Sequence, residues 1–443
     1  MKPTFKSPLL LVLFFISCSN EDHTTEPENK EATEEFVIFS NEDYPEIPKE
    51  EILISNQRFL GGTNASDSND GSQNAPWASF NKALQELCAS KTWYCLNIAS
   101  DIAVNDFIDT KFYGGGPGTP SQYVYIRSLP SLSIPVTITL NARVEIDGQQ
   151  NWLWYGFNMK GSEGINLGQD LRTNHHTIRN ISGVMTGEGG DNHGFFQALN
   201  SNADYFGVFN CYFKGPGIDG VHGNTSNIIA FGISHMRIEN NIFTNAPSPF
   251  YFKHSNKAER GAADIHFKNN FQQETSIGES CFFAGRAQGG IFEISNNIFA
   301  SNVKISNGGG SEQPEGHFIS HNTFLSNLIL DKGNDPVINA TLENNIIIGD
   351  LELLRYSNHI NTNISDYELI GGRIYYQSNN YTLSQWQENA VPSGQDKNSV
   401  TGLPVFNGSI NPIDFKLASN SLGKNLASEG GDIGANVDYV GTK

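Results

Sequence analysis

Through the middle of the chain, apolar and polar residues alternate in short runs, and each run closes on an asparagine followed by more apolar residues. HTIRNIS, FGVFNCYF, MRIENNIF, IHFKNNF, FEISNNIF, FISHNTF and ATLENNIII all carry the pattern. Their anchor asparagines are Asn180, Asn210, Asn241, Asn270, Asn297, Asn322 and Asn345, spaced 30, 31, 29, 27, 25 and 23 residues apart. A period of two is that of a strand with one buried face, and no helical period competes with it. Short strands and turns repeated at this interval predict an all-β solenoid, each repeat forming one coil. Equivalent strands then stack in parallel about 4.8 Å apart. The asparagines are expected to form an internal ladder, each amide bonding the next, with inward Ile, Phe and Val stacked likewise. Because the spacing shrinks toward the C-terminus, the early coils carry the longer loops, and such loops usually build a solenoid's binding face.

The chain has 443 residues, 38% of them hydrophobic, and 44 glycines. That composition supports both a core and many turns. The net charge is −19. Residues 21–51 hold twelve Asp or Glu against Lys30 and Lys49, a local −10 that reads as a solvated tether. Lys2 and Lys6 add +2, which leaves −11 on residues 52–443 and argues against nucleic acid as a partner. Lys2 and Lys6 precede the apolar stretch Leu9–Ile16, which is too short to span a bilayer and reads as a secretory signal. It ends in FISC, which resembles the lipobox of bacterial lipoproteins, with Phe15 in place of the usual leucine. The resemblance implies that Cys18 is lipidated and anchors an exported protein to the outer membrane or cell surface. Signal cleavage beside an incidental cysteine is the alternative. The expected organisation is a signal peptide (1–17), a disordered acidic tether (18–51), an N-terminal cap with the first strands (52–125), the coils (126–355), and C-terminal coils with a cap (356–443). Export permits disulfides. Cys88 and Cys95 are close enough in sequence to pair, whereas Cys211 and Cys281 fall in strand-like runs and read as buried small residues. No cysteine has metal-site spacing.

The two ends carry a more specific likeness. GGTNASDSNDGSQNAPWASFNKALQEL resembles the opening of secreted right-handed parallel β-helix proteins, where an Asp-Gly-Ser…Pro-Trp segment leads into a short capping helix. YTLSQWQENAVPSGQDKNSV and DFKLASNSLGKNLASEGGDIGA resemble their closing segments. The resemblance covers roughly residues 55–440 and implies the fold, not the reaction, because β-helices host several chemistries. Asp67 and Asp70 in DSNDGS suggest either a calcium site or a turn, and the turn is the simpler reading.

Candidate chemistry comes from aligning the coils on their anchors. Pro216 and Pro247 then share one offset, and His222 and Lys253 another, with Asn192 and His193 at that place in the coil before. Lys253 lies in SPFYFKHSN, a strand-like aromatic run, which places it mid-strand. Matching the Phe-Phe of ESCFFAGRAQGG to Tyr251-Phe252 sets Ala284 over Lys253 and Arg286 two residues beyond, with the Lys253 and Arg286 Cα atoms roughly 8 Å apart. The result is a polar stripe of Asn192 or His193, His222, Lys253 and Arg286, beside Phe195, Phe196, Phe250 and Tyr251. This arrangement resembles the polysaccharide lyase family that includes alginate lyases and chondroitinase B. There a Lys on one coil is the base, and an Arg on the next coil, before a Gly-containing turn, assists. By that resemblance Lys253 abstracts the proton next to a uronate carboxylate, Arg286 offsets the developing charge, and His222 assists. Asn192, His193, Asp219, Tyr251, Arg260 and Glu279 are the expected substrate contacts, and the partner is an acidic polysaccharide taken up by a monomer. Calcium-binding members of the family carry acidic residues where this chain has Ala246, Ser248 and Phe250, so a Ca2+ cofactor is possible but unassigned. A glycoside hydrolase needs two facing carboxylates; Asp219 and Glu279 share an offset two coils, or roughly 10 Å, apart. A non-catalytic glycan-binding surface is the third reading. His254, Glu315 and His317 read as structural or loop residues.

Overall fold

Three sheets of twelve strands each run along the body of the protein in the computed structural model. The described residues are 44–442, without 187–192, 200–202, 217–224, 234, 247–249, 254–261, 274–280, 285–286, 307–316, 331–336, 338, 357–361 and 391–392. For 253, 262–264, 281–284, 287–291 and 306 the backbone alone is described. The leader, Cys18 and most of the acidic segment therefore lie outside them. The first sheet runs from Gln57–Leu60 to Ile364–Asp366, and the third from Ile102–Val104 to Val400–Thr401. The second starts at Ile108–Asp109 and ends in a hairpin of Ile374–Tyr376 with Asn379–Tyr381, its antiparallel edge. One coil visits the first sheet, then the third, then the second, as in His176–Arg179, Ser182–Met185 and Phe196–Ala198. Successive coils pair in parallel, which is the β-helix that the asparagine repeat predicts.

Alternation sorts the faces. In Phe206–Phe209, Phe206 and Val208 enter the core, while Gly207 and Phe209 face outward. Inside, the rings of Phe213, Phe243, Phe267, Phe299 and Phe324 stack from coil to coil, with centroids 6.3, 6.1, 5.9 and 5.3 Å apart. Each such ring removes apolar surface worth about 1.5–3 kcal/mol from water. His317 joins this interior. It was expected in a loop, yet it opens the strand His317–Ser320, is wholly buried and lies 4.9 Å from the Phe292 ring. Burial lowers its pKa to about 4, so it is neutral.

The ladder is present, with one correction to its membership. Asn241, Asn270, Asn297, Asn322 and Asn345 each accept, through Oδ1, the backbone N–H of the equivalent residue one coil earlier, at 2.8–3.0 Å. From Asn241 to Asn322 each Nδ2 also donates to the Oδ1 of the next asparagine, at 3.0–3.1 Å. Asn180 and Asn210 are not rungs. They hold the left-handed position one residue earlier (φ 53° for both), the place of Asn240, Asn269 and Asn296, where a short polar side chain tolerates positive φ. Cys211, buried as expected, takes the rung position above Asn241. Glu368 ends the ladder, accepting from Asn345 N and Nδ2 at 3.1 Å.

Both ends are plugged. The helix Phe80–Ala89 buries Phe80, Ala83, Leu84, Leu87 and Cys88 against the first coil. Asp67 accepts from Ala78 N and Ser79 N, and Asp70 accepts from Ser72 N, so DSNDGS is a turn that leads into the helix. Gly71 (φ +75°) lies flat under Trp77, whose ring would sit 2.5 Å from any Cβ. Cys88 and Cys95 form no disulfide; both are free and buried. At the far end Trp386, on the helix Leu383–Asn389, is fully buried.

Two segments wrap the outside. The C-terminal tail folds back along the third sheet, bonding Asn344, Thr323, Asn296 and Asn269 in turn through Gly434, Ala435, Asn436 and Gly441. The outward column of that sheet is polar where it is uncovered, at Asn158 and Ser182. It turns apolar under the tail, at Ile242, Phe271, Ile298, Ile346 and Leu369. At the other terminus the expected tether ends early. From Tyr44 the chain is docked on the first sheet, where Arg179 donates to Pro45 O at 2.8 Å and to Tyr44 O at 3.3 Å and pairs with Glu46 at 3.1 Å. The Arg237 guanidinium lies 5.5 Å over the Tyr44 ring. Gly207 makes room, since a Cβ there would meet Phe209 at 2.6 Å and Tyr44 at 2.7 Å.

Candidate functional site

The extra length of the early coils lies at the edges of the second sheet. Residues 186–195, 215–227, 245–249 and 273–280 connect the third sheet to the second in successive coils, against 300–302, 325–327 and 348–350 later. From 156–157 onward the corner between the first and third sheets stays at two residues, and from Asn241 the ladder occupies it, as at 240–241 and 269–270. The outward face of the second sheet is therefore the one that long loops border.

Lys253 lies on this sheet in the strand Phe250–Lys253. Parallel register sets it beside Phe231 of the preceding coil and Ala284 of the next. The alignment with Ala284 is as expected, and it leaves Arg286 two residues further along the chain, outside the described residues. The alignment with His222 is corrected. Ile228 pairs with Phe250, so the position beside Lys253 is Phe231. Phe196 pairs with Ile228, which places Asn192 and His193 ahead of their strand and not in the Lys253 column. The connections 186–195 and 215–227 are longer than the 245–249 that precedes the Lys253 strand, so an equal count from the anchor asparagine falls short of the Lys253 column in those coils. The partner of Phe250 in the preceding coil is Ile228. His222, Asn192, Asp219, Arg260, Glu279, His254 and Glu315 lie outside the described residues. His193 is half-exposed, and its carbonyl accepts from Ser226 N at 2.8 Å.

Tyr251, an expected substrate contact, is among the described residues. It is half-exposed on the outward face, edge-on to Phe231 with ring centroids 5.7 Å apart. Toward the N-terminal end the same outward row continues through Gln197, Asn166 and Glu145, which stand in register on successive strands. There the sheet gathers acids that the sequence reading did not single out. Asp109, Glu145 and Asp147 each place a carboxylate oxygen within 4.8 Å of the others. Burial pushes the Glu145 carboxyl up, Arg143 at 3.3 Å pulls it back, and the charges of Asp109 and Asp147 raise it again. Burial also raises Asp147, against hydrogen bonds from the Asp170 and Leu171 N–H groups. Lys111 bridges Asp109 at 3.1 Å and Asp170 at 2.7 Å, and these bonds raise its own pKa. A signal did exist. Asp109 and Glu145 are acidic at the same register position on neighbouring coils, Asp147 follows two residues on, and Glu145 interrupts an apolar strand. At the opposite end of the sheet the Arg355 guanidinium lies 4.2 Å over Tyr375 and bonds Glu352 at 2.7 Å.

The chain matches no protein-family model and no curated protein. Among solved structures it is similar to a rhamnogalacturonan lyase, at 13% identity and a TM-score of 0.42 over 69% of this chain and 84% of that one. It is also similar to the GH136 lacto-N-biosidase of Eubacterium ramulus, at 10% identity and a TM-score of 0.31 over 78% and 67% of the two chains.

Proposed function

We propose that the protein cleaves a uronic-acid-containing polysaccharide by β-elimination on the outward face of the second sheet, with Lys253 as base and Arg286 assisting. The observation that carries this reading is the register of Lys253 with Ala284 at the centre of the sheet that long connections border. In the sequence Arg286 follows Ala284 by two residues. Phe231 and Tyr251 add half-exposed aromatic surface next to Lys253, suited to the apolar face of a sugar ring. In the reaction the neutral Lys253 amine takes the C5 proton. The electron pair forms the C4–C5 double bond, and the C4–O bond breaks with its pair going to the leaving oxygen, which is then protonated. Arg286 offsets the charge that builds on the uronate carboxylate in between, and its positive charge favours the neutral form of the lysine.

The test is absorbance near 235 nm, where the new double bond absorbs, during incubation with alginate, pectate and chondroitin in turn. The expected result is a rise on one of them, reduced at least about 100-fold in Lys253→Ala with an unchanged circular dichroism spectrum. A rise that survives Lys253→Ala would remove the lysine from the mechanism. New reducing ends without absorbance would replace elimination by hydrolysis.

A further inference from the structure

The geometry points to a calcium-binding site at the N-terminal end of the second sheet, formed by the carboxylates of Asp109, Glu145 and Asp147 and the side-chain amide oxygen of Asn166. The three acids come from two neighbouring coils, since Ile108–Asp109 pairs in register with Val144–Glu145 and Asp147 follows two residues on. Their oxygens lie within 4.8 Å of one another. A site built from four protein oxygens suits calcium, which takes about six to eight oxygen ligands, better than magnesium, which keeps several of its waters. The ligands are all hard oxygens, as calcium requires.

Asn166 is the independent observation. It stands beside Glu145 on the next strand, in register. Val144, Ile146, Ile165 and Leu167 all enter the core, so Glu145 and Asn166 both turn outward, side by side about 4.8 Å apart. Asn166 is only 2% exposed, and its Oδ1 has no hydrogen-bond partner. An amide oxygen sealed from water and left unbonded is unfavourable unless something coordinates it. The cations nearby do not take that role. Lys111 reaches Asp109, and Arg143 reaches Glu145, from partly exposed positions (27% and 47%). Among the described residues no Lys or Arg pairs with Asp147. An ion here would tie the coil of Asp109 to those of Glu145 and Asn166, four strands from Lys253 and roughly 19 Å from it. The site is thus separate from the proposed elimination chemistry.

The test uses the full chain stripped with EDTA and then titrated with calcium chloride alone, followed by calorimetry and by thermal melting. One calcium per chain is expected, with Kd at or below about 1 mM, and a melting temperature that rises with calcium. Asn166→Ala should keep its melting temperature in EDTA yet bind calcium about tenfold more weakly. Glu145→Gln should melt above the parent in EDTA, because a repulsive charge is gone, and below it in saturating calcium. Asp147 is left intact because it also holds the Asp170–Leu171 turn. No saturable binding up to about 10 mM calcium would overturn the site, as would full binding by the Asn166→Ala, Glu145→Gln double variant. Tighter binding of magnesium than of calcium would overturn the assignment. No polysaccharide enters the experiment, so its outcome is independent of the lyase reading.

Discussion

Asn297→Ala tests whether the asparagine ladder holds neighbouring coils in register. In the parent protein Asn297 is fully buried, and its Oδ1 accepts from Asn270 N at 2.8 Å and Asn270 Nδ2 at 3.1 Å. Its Nδ2 donates to Phe267 O at 2.8 Å, Ser295 O at 2.9 Å and Asn322 Oδ1 at 3.0 Å. Alanine leaves the Asn270 backbone N–H without its acceptor, which is unfavourable by about 1–3 kcal/mol, and removes the side-chain bonds, each contributing about 0.5–1.5 kcal/mol net. The sum is about 3–9 kcal/mol, concentrated on two coils. Solenoids unfold by neighbouring units, so a global denaturation midpoint dilutes such a local loss. Hydrogen exchange at the Asn270 amide reads it directly. Protection there should fall at least about 30-fold, the equivalent of roughly 2 kcal/mol. Asn240→Gly is the control, because glycine adopts the φ of 58° that Asn240 holds, and Asn240 is not a rung. It should leave exchange at Asn270 unchanged. Unchanged protection in Asn297→Ala, or an equal loss in the control, would refute the claim that the rungs and not the turns fix the register.

Glu368 gives a pH-dependent counterpart. Burial and the charge of Asp396 hold its carboxyl well above the ordinary range near 4.3. A raised folded-state pKa means that its contribution is full below about pH 4.3 and is lost as the pH climbs through the folded value. Glu368→Gln should therefore melt higher than the parent at pH 7 and flatten the melting-temperature profile above pH 5; a lower melting temperature at pH 7 would show that the charged form is the stabilising one. Removing the tail from residue 404 onward should uncover Phe271, Ile298, Ile346 and Leu369, each buried side chain worth about 1.5–3 kcal/mol. Strong binding of the dye ANS by the truncated chain is the expected readout, and dye binding no greater than the parent's would mean that the tail does not seal the column.

The coil architecture was legible because the ladder is local. Two residues per turn, one left-handed and one bonded to the next coil, leave a fixed mark at every repeat, and the mark survives insertions elsewhere. Its offset was misread only at Asn180 and Asn210, where Ile181 and Cys211 replace the rung and the left-handed asparagine alone remains. The candidate site was less legible for the opposite reason. Its strands follow the insertions 186–195 and 215–227, so distance from the anchor says little about register there. Where the match rested on the strand itself, Tyr251-Phe252 against Phe282-Phe283, it was right. Asp109, Glu145, Asp147 and Asn166 were missed because they meet only when three coils are stacked. The tail left a trace that went unread, the change from Ser182 and Tyr212 to Ile242, Phe271 and Ile298 down one outward column.

The strap at Tyr44 also decides how the body responds to a pull. The chain leaves the coils at their flank, at Arg179 and Arg237, rather than at the Gln57–Leu60 end. Tension on the N-terminus is therefore applied crosswise to the axis along which the coils stack. It loads the Arg179 bonds to Pro45 and Tyr44 and the ring contact with Phe209 before any strand pairing. Those contacts act as a mechanical fuse, and peeling them frees residues 44–51 before the load reaches the bonds that tie Ile52 and Asn56 to the first coil.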